Sequence, residues 1–180
     1  MNKDIEKILV TEDELAKITK KLGEQITKDY AGKKLLIVGV LKGSIYFFTD
    51  LSRHIDLPCT IDFMQASSYG ESTVSSGEIK IIKDIQDDLT GFDVLLVEDI
   101  LDTGRTLKYI CDMLSKRNPQ SIAVITLLDK PSRRVADISA DYVGVDVPNE
   151  FVVGYGLDYN QFYRNLPYIG VLKENVYKNN

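Results

Sequence analysis

Short apolar runs that alternate with helical segments predict an α/β fold, a mainly parallel sheet flanked by helices. Three observations carry that reading. KLLIVGV (34–40), DVLLVED (93–99) and SIAVITLLDK (121–130) have the length and apolar content of buried strands. TLKYICDMLSKR (106–117), between the last two, has helical spacing. The tract SSYGESTVSSGE (67–78) and the segments after Lys130 do not fit the alternation. They are expected to form a small hood or flap over the carboxyl ends of the strands, where ligands bind in open α/β sheets.

Taken in order, Thr11-Glu12-Asp13-Glu14 is a capping box, with Thr11 accepting from the backbone and Glu14 reaching back. Leu15, Ile18, Leu22 and Ile26 then recur at helical spacing, which predicts a helix to about Asp29. KLLIVGV follows as a strand and LKGSIYFFTDLSRHI (41–55) as a loop entering a helix. CTIDFMQASSY (59–69) is a strand that leaves into a polar loop, and IKIIKDI (79–85) is the strand that returns. DVLLVED, TLKYICDMLSKR and SIAVITLLDK supply strand, helix and strand. ADYVGVDV (140–147), FVVGYG (151–156) and YIGVLK (168–173) finish with short strands.

At 180 residues the chain fits one domain, residues 1–180, large enough to bury a core without staples. Its net charge of −5 removes a basic nucleic-acid footprint at the level of the whole chain. No apolar run approaches the ~20 residues that span a bilayer, and MNKDIEKILV is too charged for a signal peptide. Cys59 and Cys111 lack C-x-x-C spacing and read as reduced thiols of a cytoplasmic protein. His54 is the one histidine, away from every motif, so it is read as structural.

The chemistry concentrates in VLLVEDILDTGRTL (94–107). An apolar run ends in three carboxylates, Glu98, Asp99 and Asp102, followed by the small polar turn Thr103-Gly104-Arg105-Thr106. The turn lies at a predicted helix N-terminus, where free amides and the helix dipole favour an anion. It is neither a Walker A loop nor a dinucleotide fingerprint. A bare phosphate is repelled by three acids, but a sugar phosphate is not. The loop would take the 5-phosphate, Glu98 and Asp99 the ring hydroxyls or a hydrated Mg²⁺, and Asp102 would be free for chemistry. The bland alternative makes Asp102 or Thr103 a helix cap and leaves the other acids solvated.

This stretch resembles the 5-phosphoribosyl-1-pyrophosphate (PRPP) motif of type I phosphoribosyltransferases. With GVLKGS, SSYG, LLDKPSRR and FVVGYGLDYNQFYRNLPYIGVL, the chain is similar to bacterial-type hypoxanthine-guanine phosphoribosyltransferases from roughly Ile5 to Leu172. The resemblance implies the type I phosphoribosyltransferase fold and purine salvage. A 6-oxopurine, hypoxanthine or guanine, would join the ribose of PRPP, giving IMP or GMP and pyrophosphate with Mg²⁺ as cofactor. It implies Asp102 as the catalytic acid–base group near purine N7, Glu98 and Asp99 on the ribose hydroxyls, and Asp102 to Thr106 as the phosphate loop, with Arg105 at a variable position. Lys130 would read the purine carbonyl, because an ammonium only donates. Phe151 would stack on the purine and Val152 would meet its edge through the backbone. Leu41-Lys42-Gly43 would be the pyrophosphate loop, which in the family can carry a cis peptide before the lysine. Arg164 would contact pyrophosphate, and Asp158 would join Glu98 and Asp99 as a metal-binding residue. Ser68 and Tyr69 would belong to a mobile flap at about 66–78 that excludes water. The family's assembly implies a homodimer or homotetramer, with SRRVAD (132–137) and exposed apolar residues available to an interface.

Rival readings are a phosphoribosyltransferase for xanthine or a pyrimidine, and a PRPP sensor that binds nucleic acid. Lys130 and FVVGYGLDYN argue against a pyrimidine but do not separate the three oxopurines. The acidic charge and the retained Asp102 argue against the sensor.

Overall fold

A computed structural model describes residues 2–68 and 79–178. The capping box forms as expected. Thr11 N donates to Glu14 Oε2 at 2.8 Å, and Glu14 N donates to Thr11 Oγ1 at 3.3 Å. Helix α1 (Glu12–Asp29) starts there and buries Leu15, Leu22 and Ile26 along one stripe. A cap of this kind is worth about 1 kcal/mol to the helix.

The main sheet contains β2 (Leu35–Leu41), β3 (Cys59–Ser68), β4 (Ile79–Lys83), β5 (Asp93–Leu101), β6 (Ser121–Asp129) and β7 (Tyr142–Asp146). Their order is β4-β3-β2-β5-β6-β7. All neighbours are parallel except β4, which returns antiparallel to β3 at the edge. Because side chains alternate along a strand, each central strand supplies both faces of the sheet. Leu35, Ile37, Leu95 and Val97 pack with α1 and with Phe47 and Leu51 of α2 (Ile45–Arg53). Leu36, Val38, Val94 and Leu96 pack with Leu107, Ile110 and Leu114 of α3 (Arg105–Ser115). Coverage on both faces explains why these strands are apolar throughout rather than alternating.

A second, antiparallel sheet forms the hood. It joins β1 (Ile5–Val10), β9 (Ile169–Leu172) and β8 (Val152–Val153) in the order β1-β9-β8. One strand here carries no sequence signal, and one expectation needs correction. IEKILV is a strand, although its residues are half-buried or exposed up to Val10 and show no clean alternation. It exists because β9 pairs with it, from Ile5 opposite Leu172 to Val10 opposite Ile169. The segment 142–146 does not join the hood. It extends the main sheet parallel to β6, anchored where the Asp141 carboxylate accepts from Val124 N at 2.8 Å. Helix α4 (Glu174–Tyr177) follows β9.

Candidate active site

β5 delivers Glu98 and Asp99 near its carboxyl end, and the chain then passes through Asp102 and Thr103 into α3. Gly104 is the N-cap of α3, at φ +79° and without a side-chain cap. That backbone conformation suits glycine, and a Cβ would stand 2.6 Å from Ile138 Cγ2. Asp102 and Thr103 are therefore not the helix cap. The first intrahelical bond runs from Lys108 N to Gly104 O at 2.9 Å. The amides of Arg105, Thr106 and Leu107 have no intrahelical acceptor, which is the usual condition of a helix start and a good one for an anion. Thr103, Gly104 and Thr106 border a cleft of about 110 Å³ that also touches Glu98 and Asp102. Arg105 does not line it. Arg134 braces the loop from behind, donating from Nε to Asp102 O at 3.0 Å and from Nη2 to Leu101 O at 3.1 Å.

Glu98 and Asp99 are half-buried neighbours. Burial pushes the Glu98 carboxyl well above the ordinary range, and the adjacent Asp99 charge adds to the effect. Burial raises Asp99 as well, opposed by its hydrogen bond with Glu98, by the Ile100 amide and by the Arg164 charge. Such a pair takes up a proton or a cation readily. Gly43 lies directly against it. A Cβ at that position would stand 1.6 Å from Asp99 Oδ2, so a larger residue would displace the carboxylate or the loop after β2. The Leu41–Lys42 peptide in the same loop is cis.

Lys42 Nζ donates to Gln161 Oε1 at 3.3 Å, and Gln161 N donates to Asp158 Oδ2 at 2.8 Å. Arg164 pairs through Nη2 with Asp158 Oδ1 at 2.7 Å and donates from Nη1 to Gly156 O at 2.7 Å. Lys42, Asp158, Gln161 and Arg164 thus converge beside the acidic pair. They do not merge with it into one ligand set. Among the described residues, no three His, Cys, Asp or Glu side chains gather around one metal position. Mg²⁺ commonly takes one or two carboxylates and completes its shell with substrate oxygens and water. The donors present fit that mode and not a closed protein cage.

A cavity of about 370 Å³ lies between the carboxyl end of the main sheet and the hood. Asp102, Lys130, Arg133, Phe151, Val152 and Tyr177 are among the residues that line it. Lys130 is only 6% exposed, so it is not a solvated strand-end lysine. Its Nζ donates to the Glu150 carbonyl at 2.7 Å. Burial lowers its pKa, and the Asp102 charge opposes that shift. Phe151 is 38% exposed and is therefore a cavity wall rather than core. Val152 is buried in β8 beside it. Asp102 is not free here, because its Oδ1 accepts from Arg133 Nε at 2.7 Å.

Sequence comparison agrees with this geometry. Residues 4–160 match the model of the phosphoribosyl transferase domain. The chain belongs to this family. It is 56% identical to a hypoxanthine-guanine phosphoribosyltransferase of Streptococcus thermophilus over 177 residues, covering 98% of each chain. A solved hypoxanthine phosphoribosyltransferase of Staphylococcus aureus superposes with a TM-score of 0.94 at 55% identity, covering 98% of this chain and 96% of that one. A hypoxanthine-guanine phosphoribosyltransferase of Bacillus anthracis superposes with a TM-score of 0.89 at 45% identity, over 94% of this chain and 99% of the other.

As a phosphoribosyltransferase, the chain holds several site residues that motif reading passed over. Within SRRVAD, the stretch available to an interface, Arg133 pairs with the Asp102 carboxylate while staying exposed, and Arg134 holds the loop carbonyls. Gln161, inside FVVGYGLDYNQFYRNLPYIGVL, and Tyr177 are uncharged, and no local signal marks either as a site residue. His54 ends α2 and packs its Cβ where a side chain at Gly23 would stand, 2.4 Å away, which agrees with a structural role. Ser68 closes β3 opposite Ile79, but Tyr69 and the flap expected through residue 78 lie outside the described residues.

Proposed function

We propose that the chain salvages purines by transferring the 5-phosphoribosyl group of PRPP to hypoxanthine or guanine, releasing pyrophosphate and forming IMP or GMP. The observation that carries this reading is the placement of buried Lys130 and Asp102 on one cavity, next to the amide loop of α3. A donor for a 6-oxo group, an acceptor for a purine proton and a phosphate cradle then sit along one substrate.

The residue roles follow from the chemistry. Arg105, Thr106 and Leu107 amides with the Thr103 and Thr106 hydroxyls hold the 5-phosphate. Glu98 and Asp99 accept from the ribose hydroxyls. Lys42, Gly43 and Arg164 take the leaving pyrophosphate. Glu98, Asp99 and Asp158 are the carboxylates that would hold Mg²⁺, and when bound it would neutralise charge building on pyrophosphate. Lys130 donates to the purine carbonyl, a contact that leaves adenine with a donor facing a donor. Phe151 stacks on the base, and the Val152 backbone meets its edge. As N9 bonds to the anomeric carbon, the proton on N7 becomes acidic, and the Asp102 carboxylate accepts it. The transition state is oxocarbenium-like, so water must be kept away, which is the work assigned to a flap at about 66–78 carrying Ser68 and Tyr69.

We place this single domain, residues 1–180, in the cytoplasm as a homodimer or homotetramer. Among the described residues, no helix is long and apolar enough to cross a membrane. Cys59 and Cys111 are unpaired thiols, as fits a reducing compartment, and burial pushes Cys111 up to about 11, which keeps it protonated. Ile45 and Tyr46 expose apolar surface on α2 that a subunit contact would cover.

A substrate panel tests the reading. Purified protein, PRPP and Mg²⁺ are incubated separately with hypoxanthine, guanine, xanthine, adenine and uracil, with and without chelator. IMP and GMP should form only without chelator, and adenine and uracil should be inert. PRPP binding without any base reacting would sink the catalytic assignment.

A further inference from the structure

Phe151 does not stand alone in the base cavity. The Tyr177 ring stacks on one face of it, with centroids 4.9 Å apart and planes inclined by 23°. Tyr159 meets it at 89°, with centroids 5.7 Å apart. The backbone creates this arrangement. Leu172 N donates to Phe151 O at 2.8 Å, which fixes Phe151 beside the end of β9. One residue later Lys173 N bonds Asp4 O at 3.0 Å, and Lys173 Nζ bonds Lys3 O at 2.6 Å, so the chain is tied where it turns into α4. Val176 packs on the buried cluster of Val153, Leu166 and Leu172. A single helical turn then returns Tyr177 over Phe151, half-buried and bordering the same cavity as Lys130.

The spacing decides where a base can go. Stacked aromatic rings keep centroids at least about 4.5 Å apart, so a base between Phe151 and Tyr177 would need them roughly 9 Å apart. They are too close to admit one. We propose, resting on the purine assignment above, that Tyr177 is a positioning residue for the base: it covers one face of Phe151 and holds the ring so that the purine stacks on the surface that Phe151 leaves exposed to the cavity. Tyr177 acts through Phe151 and takes no part in the bond that forms at the anomeric carbon. Phe151 and Tyr177 together present a fixed wall, and the base gains stacking without first ordering a loose ring.

Steady-state constants of Tyr177→Ala, Tyr177→Phe and Tyr177→Leu test this, each with base and PRPP varied separately and folding followed by thermal denaturation. Tyr177→Ala should raise KM for hypoxanthine and guanine about three- to tenfold, the size of one lost aromatic pair, with PRPP KM and kcat close to wild type. Tyr177→Phe should restore the base KM. Tyr177→Leu, which keeps apolar bulk, should fold like wild type yet behave like Tyr177→Ala. A lower base KM in Tyr177→Ala would make the ring a plug rather than a brace and overturn the proposal. So would an unchanged base KM, or an equal rise for PRPP. If wild type neither makes nor binds a purine nucleotide, the purine assignment itself fails. An active wild type with no base effect at Tyr177 removes this inference alone.

Discussion

The proposed 5-phosphate side of the site comes from one unbroken stretch, Glu98 to Thr106, whereas the proposed base side draws Lys130, Phe151, Val152 and Tyr177 from separate segments. The first is local chemistry. A buried strand stops, a glycine turns the chain, and a helix begins with its amides exposed. The second exists only after the hood has paired β8 with β9 and brought α4 back over Phe151. A local device depends less on the rest of the chain, here mainly on the brace from Arg134. An assembled one depends on every element that carries a wall.

Asp102 sits at the junction of the two sides, so its loss should have the largest effect. Asp102→Asn keeps shape and hydrogen bonding but cannot take the N7 proton. We expect kcat to fall about 10²- to 10⁴-fold, the usual worth of a positioned proton acceptor. PRPP binding, measured by equilibrium titration, should change little, because the phosphate amides are untouched. An unaltered kcat would remove Asp102 from proton transfer.

The same contrast explains what could be read without coordinates. VLLVEDILDTGRTL exposes its purpose because strand, acids, glycine and helix start lie side by side in the chain. The central strands and α1 are legible for a similar reason, since apolar period and the Thr11–Glu14 box are local signals. Arg133 is a different matter. Its partner Asp102 is 31 positions away, and a lysine or arginine run reads by default as solvated surface. Lys42 and Gln161 are 119 positions apart, and no periodicity links them. β1 has no local signal, because most of its residues are half-buried or exposed and its strand character comes from β9 and not from its own pattern. The roles proposed for Lys130, Phe151 and Asp158 rest on family resemblance, not on any property of their immediate neighbours.

Lys130→Ala probes the assembled side and should rank second. The ammonium is buried and bonded to the Glu150 carbonyl, and its removal deletes the charged donor proposed for the purine carbonyl. Hydrogen bonds to charged groups contribute about 1.5–3 kcal/mol, which corresponds to a rise in hypoxanthine KM of about ten- to a hundredfold. PRPP KM should move far less. Paired initial-rate series, one for each substrate, check this. Equal losses for both substrates would mean that Lys130 supports the fold of the loop and does not read the base.

Arg133→Met should have the smallest effect, and it asks how far the junction depends on its ion pair. Arg133 donates to Asp102 Oδ1 at 2.7 Å, but the two side chains are 45% and 36% exposed. Water screens a pair of that kind, and its worth is typically about 0.2–1 kcal/mol. Arg134 Nε, which holds the Asp102 backbone carbonyl, survives the substitution, so the loop that carries the carboxylate stays braced. We therefore expect kcat to change by less than about fivefold, with both KM values near wild type. A loss approaching that of Asp102→Asn would show that Arg133 fixes the carboxylate for N7. The phosphate side would then depend on the 131–134 segment as strictly as the base side depends on the hood, and the contrast between a local and an assembled half would no longer hold.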